Sequence, residues 1–309
     1  MTAQVTLLIC TRNRAPSLAA TLASITRAAT VAQGIAIEVI VVDNGSSDET
    51  PSLLRQWQSA QPFPVRLLRE DRPGLARARN VGLAHRNGAI IAMTDDDCIL
   101  HANYFTALAK AFDRPDGPMV IGGRILLGNP ADLPVTIKVE DHPMVAPPGG
   151  FPGGFVMGAN LAMHREVLDR IGLFDERFGA GAPFIAAEDT DLLFRASGVG
   201  IPIRYDPAII VDHHHGRRHI AEETRLLAGY SFGDGALYAK HLLKDRRILR
   251  SFLTDIRNLR LDITRPVRVH TGIPKYYRFC LTRKLRGFLF FLWTALKTRL
   301  QSKQVGGAS

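Results

Sequence analysis

Cysteine is scarce. The 309 residues hold 3, namely Cys10, Cys98 and Cys280, widely spaced and odd in number. That argues against a disulfide framework or a cysteine-based zinc cluster and suits a reducing compartment, read here as the cytoplasm. Long hydrophobic runs are missing as well. The most apolar stretch, Gly287 to Leu296, is about half of the roughly 20 residues that a bilayer core demands. No basic region precedes the apolar run Val5 to Cys10, so that run reads as a first buried strand and not as a signal peptide. No internal repeat is visible. With 46% apolar and 22% charged residues, the chain is neither disordered nor a bulk membrane protein.

Acidic residues are short in one region. Lys244 to Lys303 holds 16 Lys plus Arg against 3 Asp plus Glu, whereas residues 1–243 hold 23 against 26. All of the net charge of +10 therefore sits in the tail. Such asymmetry points to an anionic partner for the tail and a separate task for the body.

The body alternates strand and helix signals. Val5 to Cys10, Glu38 to Val42, Val65 to Leu68 and Ala89 to Met93 are short apolar runs, and helical patterns cover Ala15 to Ala28, Ser47 to about Ala60 and Gly74 to Arg86. Strands separated by helices of about 10 to 15 residues predict a mostly parallel, Rossmann-like α/β sheet flanked by helices. Ligands of such sheets sit beyond the carboxyl ends of the strands. The polar groups there are Thr11 to Arg14, Asp43 to Ser46 and Asp95 to Asp97. Further on, Met119 to Leu127 and Phe155 to Met163 read as strands, with a helix near Arg165 to Ile171 between the latter and Glu188-Asp-Thr-Asp191. Ile201 to Val211 reads as an edge strand because Pro202 and Pro207 interrupt it. Residues 128–158 read as a long Gly/Pro-rich loop, and its part 146–158 is expected to shape an acceptor site and to order on donor binding, or else to be a plain connector.

Three consecutive aspartates at a strand end repel one another unless a cation is present. Oxygen-rich clusters suit Mg2+ or Mn2+, which keep water and substrate phosphates in their shell. In an extended segment Asp95 and Asp97 share a side and Asp96 faces the other way. A solvated acidic turn is the competing reading. Glu188 and Asp189 fall in a first helical turn, which suits either dipole capping or a general base for an acceptor hydroxyl. His213, His214 and His215 follow the last strand as a polar turn or as the source of a third metal ligand.

The motifs together resemble the inverting glycosyltransferases of the large family numbered two, which have the GT-A fold. The segments that carry the resemblance are Ile9 to Arg14, Val39 to Asp48, Gly74 to Gly82, Ile90 to Asp97, Gly158 to Asn160 and Glu188 to Leu192, in the family's order across residues 5–215. The resemblance implies a metal-dependent transfer of sugar from a nucleoside-diphosphate sugar, most often a UDP-sugar, to a glycan or lipid-linked acceptor, as in cell-surface polysaccharide or glycolipid synthesis. It implies that Thr11, Arg12 and Arg14 bind the nucleotide with Asp43, and that Gly74, Arg79 and Asn80 lie beside the diphosphate. Asp95 falls near the ribose, with Asp96 in support. Asp97 holds Mn2+ or Mg2+ with His213, or with His215. Asp189 is the implied catalytic base with Glu188 beside it, and Gly158, Ala159 and Asn160 lie on the acceptor side.

The expected organisation is a catalytic domain over residues 1–216, with a nucleotide-binding half to about 127 and an acceptor half from 128. A helical, basic region covers 217–309. Basic residues around Phe and Trp in the last helix suit the surface of an anionic membrane, on the cytoplasmic face of the inner membrane, or else packing on the catalytic domain or on a second subunit. No nucleic-acid module accompanies the basic residues. A sugar-nucleotide-forming nucleotidyltransferase would be expected to have glycine after the first strand, where Thr11 to Arg14 has none. A non-catalytic nucleotide-sugar binder is disfavoured by two intact acidic clusters.

Overall fold

A computed structural model describes residues 4–113, 117–264 and 273–306, with side chains to residue 298 and at 301. Arg265, Arg268, Arg299 and Lys303 of the basic run lie outside the described side chains. The chain starts as β1 (Gln4–Thr11), α1 (Ala15–Val31), β2 (Ala36–Asp43), α2 (Thr50–Ser59), β3 (Val65–Arg69), α3 (Leu75–Leu83) and β4 (Ile90–Asp95). These four strands lie in the order β3-β2-β1-β4 and pair in parallel. Their apolar runs do not alternate with polar residues because both faces are covered. Leu7, Ile9, Val39 and Val41 pack with Leu18, Leu22 and Ile25 of α1 on one face. Leu8, Ile40 and Val42 pack with α3 residues on the other. Gly82 lets α3 lie close, since a Cβ there would stand 2.3 Å from Leu8. The register sets Thr11 beside Asp43 and Cys10 beside Asp95, so three loops leave the sheet at one edge.

The second half adds β5 (Cys98–Leu100), α4 (Tyr104–Phe112), β6 (Val120–Leu127), β7 (Met144–Val145), β8 (Asn160–His164), α5 (Arg165–Ile171), α6 (Glu188–Gly198) and β9 (Ile203–His213). The sheet continues β4-β8-β6-β9-β5, with β7 also on β9. The strands β6 and β9 run with β1 to β4, and β5, β7 and β8 run against them. The β9 strand therefore brings His213 to the same edge as Asp43 and Asp95.

The β9 strand is not an edge strand. It pairs with β6 on one side and with β7 and β5 on the other. Proline is accommodated by an irregularity: the β6 ladder passes from Asp206 directly to Ile210, and Pro207 falls inside that gap and between the β7 and β5 pairings. The start of the 146–158 stretch lies away from the aspartates. Met144 pairs with Tyr205, which lies about 26 Å along β9 from His213 at 3.3 Å per residue. Residues 145–152 line a pocket with Ser197, Gly200 and Ile201 at the far end of α6. The glycines and prolines there serve the end of the sheet opposite Asp95.

The chain divides into two compact units. One comprises Met1–Glu176 and Glu188–Arg218, and the other Arg177–Ala187 and His219–Ser309. The second unit contains α7 (Ile220–His241), α8 (Arg247–Asn258), α9 (Leu261–Thr264) and α10 (Tyr276–Gly306). Glycines on both long helices let them touch: a Cβ at Gly235 would overlap the Lys284 carbonyl, and one at Gly287 the Phe232 carbonyl. Phe184, from the inserted segment, packs against Phe178, Phe290 and Phe291. Among the described residues, no helix is long and apolar enough to cross a membrane.

Candidate active site

The edge of the sheet is assembled from loop residues with little freedom. Asn13 sits at φ 52°, a left-handed conformation that Asn tolerates better than most residues. From there its amide accepts from Ser47 N at 2.8 Å while its own N–H donates to Ser46 Oγ at 2.9 Å. Asp43 is buried. One carboxylate oxygen accepts Ser46 N at 2.8 Å and the other accepts Arg69 Nη1 at 2.9 Å. Asn44, which sequence reasoning passed over, donates to the carbonyls of Glu70 and Arg72 and accepts Gly74 N. Gly74 itself sits at φ 142°, which a side chain would strain. Arg12 is exposed and Thr11 is buried beside the aspartates.

The aspartate triplet does not stay extended. Asp95 ends β4, Asp96 and Asp97 form a turn, and β5 starts at Cys98. Asp96 and Asp97 thereby share one cation: Arg14 lies 3.3 Å from Asp96 Oδ1 and 2.7 Å from Asp97 Oδ2. Asp95 faces Arg79 instead, at 3.4 Å. The alternation expected of a straight strand is replaced by a turn because β5 must reverse to pair with β9. Burial pushes the Asp96 carboxyl up to about 6, against Thr11 and Arg14. Burial acts on Asp97 too, but His213 and Arg14 outweigh it and hold Asp97 below the usual carboxylate range.

A buried guanidinium joins the two acidic clusters. Arg79 is 3% exposed, donates to Glu188 Oε1 at 2.9 Å, reaches Asp95, and covers the Phe174 ring at 5.4 Å. It also explains Gly158, where a Cβ would stand 2.9 Å from Arg79 Nη2. The freed Gly158 N–H donates to Asp189 Oδ2 at 2.9 Å, and Asp189 Oδ1 accepts its neighbour Thr190 N at 2.6 Å. Asp189 is half-buried and Glu188 is buried. Burial, and then the Asp189 charge, push the Glu188 carboxyl up to about 7, although Arg79 pulls the other way.

Several residues that the sequence placed at a ligand are held by the fold. Asn80 is fixed to Phe174 N, Phe174 O and Glu176. Asn160 donates to the carbonyls of Arg124 and Ile209 and accepts Tyr104 Oη–H, so it stitches β6, β8 and β9 together. The Ala159 carbonyl accepts Thr94 Oγ1. Asp191 is fully buried and pairs with Arg195 at 2.9 Å, the structural role that helix position suggests. These side chains are spent on holding the site in shape.

The residues fit a divalent metal at Asp97. Asp97 Oδ1 is buried with no hydrogen-bond donor among the described residues, and His213 Nε2 lies 3.3 Å from it. His213 Nδ1 lies 3.2 Å from the Thr136 carbonyl, which orients the ring with Nε2 toward Asp97. Cys98 Sγ lies in the same cluster, within 4.8 Å of both groups. Burial raises its thiol well above the ordinary range, so it stays protonated and is a poor ligand for an oxygen-preferring ion. His215 is spoken for at both ring nitrogens, Nε2 with the Leu133 carbonyl at 3.1 Å and Nδ1 with Arg217 N at 3.0 Å. His213 thus turns its second nitrogen to Asp97, whereas both ring nitrogens of His215 are held by backbone groups.

A mixed sheet whose carboxyl edge combines a buried strand-end aspartate, an aspartate turn and a carboxylate helix start has the GT-A class of fold, which the solved structures below share. The sequence model of Glycosyl transferase family 2 matches residues 6–172, and the chain belongs to that family. Probable glycosyltransferase YdaM of Bacillus subtilis (strain 168) is 28% identical over 185 residues, which are 56% of this chain and 42% of that protein. Glycosyltransferase AglE of Haloferax volcanii is 40% identical over 67 residues, 22% of each chain. The matches thus span less than half the length of these relatives. A mannosyltransferase from Pyrobaculum calidifontis, solved with GDP-Man and Mn2+, shares the fold with a TM-score of 0.61 at 19% identity, over 92% of this chain and 88% of that one. S. aureus TarS 1-349 with UDP gives a TM-score of 0.56 at 15% identity, over 93% and 89%.

Proposed function

We propose that the chain transfers a glycosyl group from a nucleoside-diphosphate sugar to an acceptor hydroxyl with inversion, in the synthesis of a cell-surface glycan or glycolipid. The observation that carries this reading is Arg79, whose guanidinium binds Asp95 of the triplet and Glu188 of the α6 start at once. It ties the donor-side aspartates to the helix that bears the base. In the proposed step, Asp189 takes the proton of the acceptor hydroxyl, the freed oxygen bonds to the anomeric carbon, and the bond from that carbon to the diphosphate oxygen breaks on the opposite side. Gly158 N–H aims the carboxylate, and Asp189, which is only half-buried, would meet the acceptor. Asp43 and Thr11 would border the nucleoside, and Arg14 the diphosphate. A Mn2+ or Mg2+ ion held by Asp97 and His213 would supply positive charge against the departing diphosphate. The neighbours solved with GDP-Man and UDP support a nucleotide donor, and a UDP-sugar is the first to try.

Asp189→Asn tests the base. Loss of a positioned general base costs about 10²- to 10⁴-fold in kcat. The expected result is that loss with donor affinity unchanged by calorimetry, in a screen for nucleoside-diphosphate release across donors. A variant retaining a tenth or more of the wild-type rate removes Asp189 from the role. Release of pyrophosphate in place of nucleoside diphosphate would indicate nucleotidyl transfer.

A further inference from the structure

The second unit carries an exposed apolar surface outside the residues assigned to the site. The α10 helix buries Phe291 and Gly287 against α7, and its outer side carries Leu285, Leu289, Leu292, Trp293 and Leu296, from 41% to 63% exposed. At i, i+4, i+7, i+8 and i+11 these residues form one stripe about 17 Å long at 1.5 Å per residue. The α8 helix repeats the arrangement. Ile248 is buried and Asp255 faces inward to Tyr238 and Lys284, whereas Leu249, Leu253 and Ile256 lie in a second exposed stripe. Leu243, between α7 and α8, is 96% exposed. Scattered exposed leucines need no explanation, but aligned stripes on two helices of one unit do.

The charge around the stripes names the partner. Arg250 and Arg257 are exposed on α8, Arg246 and Arg260 just beyond its two ends, and Arg278 and Arg286 on α10, and none has a carboxylate partner among the described residues. The carboxylates of this segment are all engaged internally: Asp245 pairs with Arg247, Asp255 with Lys284, and Asp262 accepts the N–H groups of Tyr277 and Arg278. Negative charge is thus withdrawn from the surface and positive charge is left on it. Trp293 under Lys297, at 5.4 Å, is an amphipathic pair suited to a headgroup region. A neutral apolar partner would not call for the arginines, and an acidic protein partner would not call for a linear leucine stripe.

We infer that the exposed faces of α8 and α10 dock the protein on an anionic lipid surface, with the leucines and Trp293 in the interface and the arginines on the headgroups. The helices lie on the membrane and do not cross it, as no described helix is apolar enough to do so. This inference does not depend on the transfer reaction.

Flotation of the full chain with phosphatidylcholine vesicles, with and without about a third phosphatidylglycerol, tests it. Binding is expected to the anionic vesicles, weakening as salt rises from about 0.1 to 0.5 M. With about fivefold per lysine or arginine near an anionic surface, Arg250→Glu with Arg257→Glu, which reverses two charges, should weaken binding by at least about 30-fold. Leu289→Glu with Trp293→Glu should abolish binding. All four positions are exposed, so the variants are expected to fold, which circular dichroism checks. Equal binding to neutral and anionic vesicles, or no flotation, overturns the inference. So does a dimer in sedimentation velocity that the leucine variant dissociates without any lipid effect, which would assign the surface to a second copy.

Discussion

Replacing Arg79 by methionine removes the cation between the two acidic clusters and keeps most of the side-chain volume. The Arg79 side chain is 4% exposed and that of Glu188 is 11%, so solvent cannot take over the pairing. Breaking a buried pair by deleting one partner costs about 3 to 5 kcal/mol. Where in that range the cost falls should depend on pH, and the sign can be worked out. The Glu188 carboxyl lies at about 7 in the folded chain, above its ordinary 4.5, with Arg79 pulling it down. A raised acid stabilises the fold below its unfolded pKa and loses that contribution as pH rises through the folded one. Removing Arg79 lifts Glu188 further and extends the loss above pH 7. Between pH 7 and 8.5 this adds up to about 2 kcal/mol at 1.36 kcal/mol per unit. The expected cost of Arg79→Met is therefore about 3 kcal/mol at pH 6 and about 5 at pH 8.5. At about 2 to 4 °C per kcal/mol, that is a fall in Tm of about 6 to 12 °C at pH 6 and about 10 to 20 °C at pH 8.5. Thermal unfolding by circular dichroism at the two pH values measures it. Adding Glu188→Gln to Arg79→Met should erase the extra loss at pH 8.5, because no buried carboxyl remains to ionise. An equal fall at both pH values, or no recovery in the double variant, would refute the reasoning.

The two histidines should separate cleanly. His213→Ala should weaken Mn2+ affinity in calorimetry by at least about tenfold, and His215→Ala should leave it unchanged while lowering Tm, since His215 clips Leu133 to Arg217. Gly158→Val should overlap the Arg79 guanidinium and cost about 1 to 3 kcal/mol. Because Gly158 N–H aims Asp189, kcat should fall with donor affinity kept, and a normal kcat would show that this hydrogen bond does not position the base. Asp191→Asn should lower stability by about 2 kcal/mol through its bond to Arg195 without shifting the pH profile of the reaction; a shifted profile would make Asp191 part of the chemistry.

What could be read from the sequence follows a physical boundary. The parallel strands and their polar ends were legible because buried strands leave unbroken Val/Ile/Leu runs, and the residue after each run is where ligands gather. Pro207 misled for a definable reason: proline excludes a residue from a regular ladder, but not from a gap in one. The Gly/Pro-rich loop was legible only as a loop, because composition reports turns and says nothing of which end of the sheet receives them. Arg79, Asn80 and Asn160 raise the deeper point. Motif position puts them beside a ligand, yet their side chains are bound to Glu188, Phe174 and the β6 and β9 carbonyls. No local pattern tells a polar residue that touches substrate from one that touches the residues which do. In a buried polar network both kinds are equally constrained, because an unmet hydrogen bond costs about 1 to 3 kcal/mol wherever it lies. What distinguishes them here is spare capacity. Asp97 Oδ1 has no donor among the described residues and Asp189 stays half-exposed, whereas Asn80, Asn160 and His215 have their polar groups bound inside the fold. The residues with bonding capacity left over are the ones to which the chemistry is assigned.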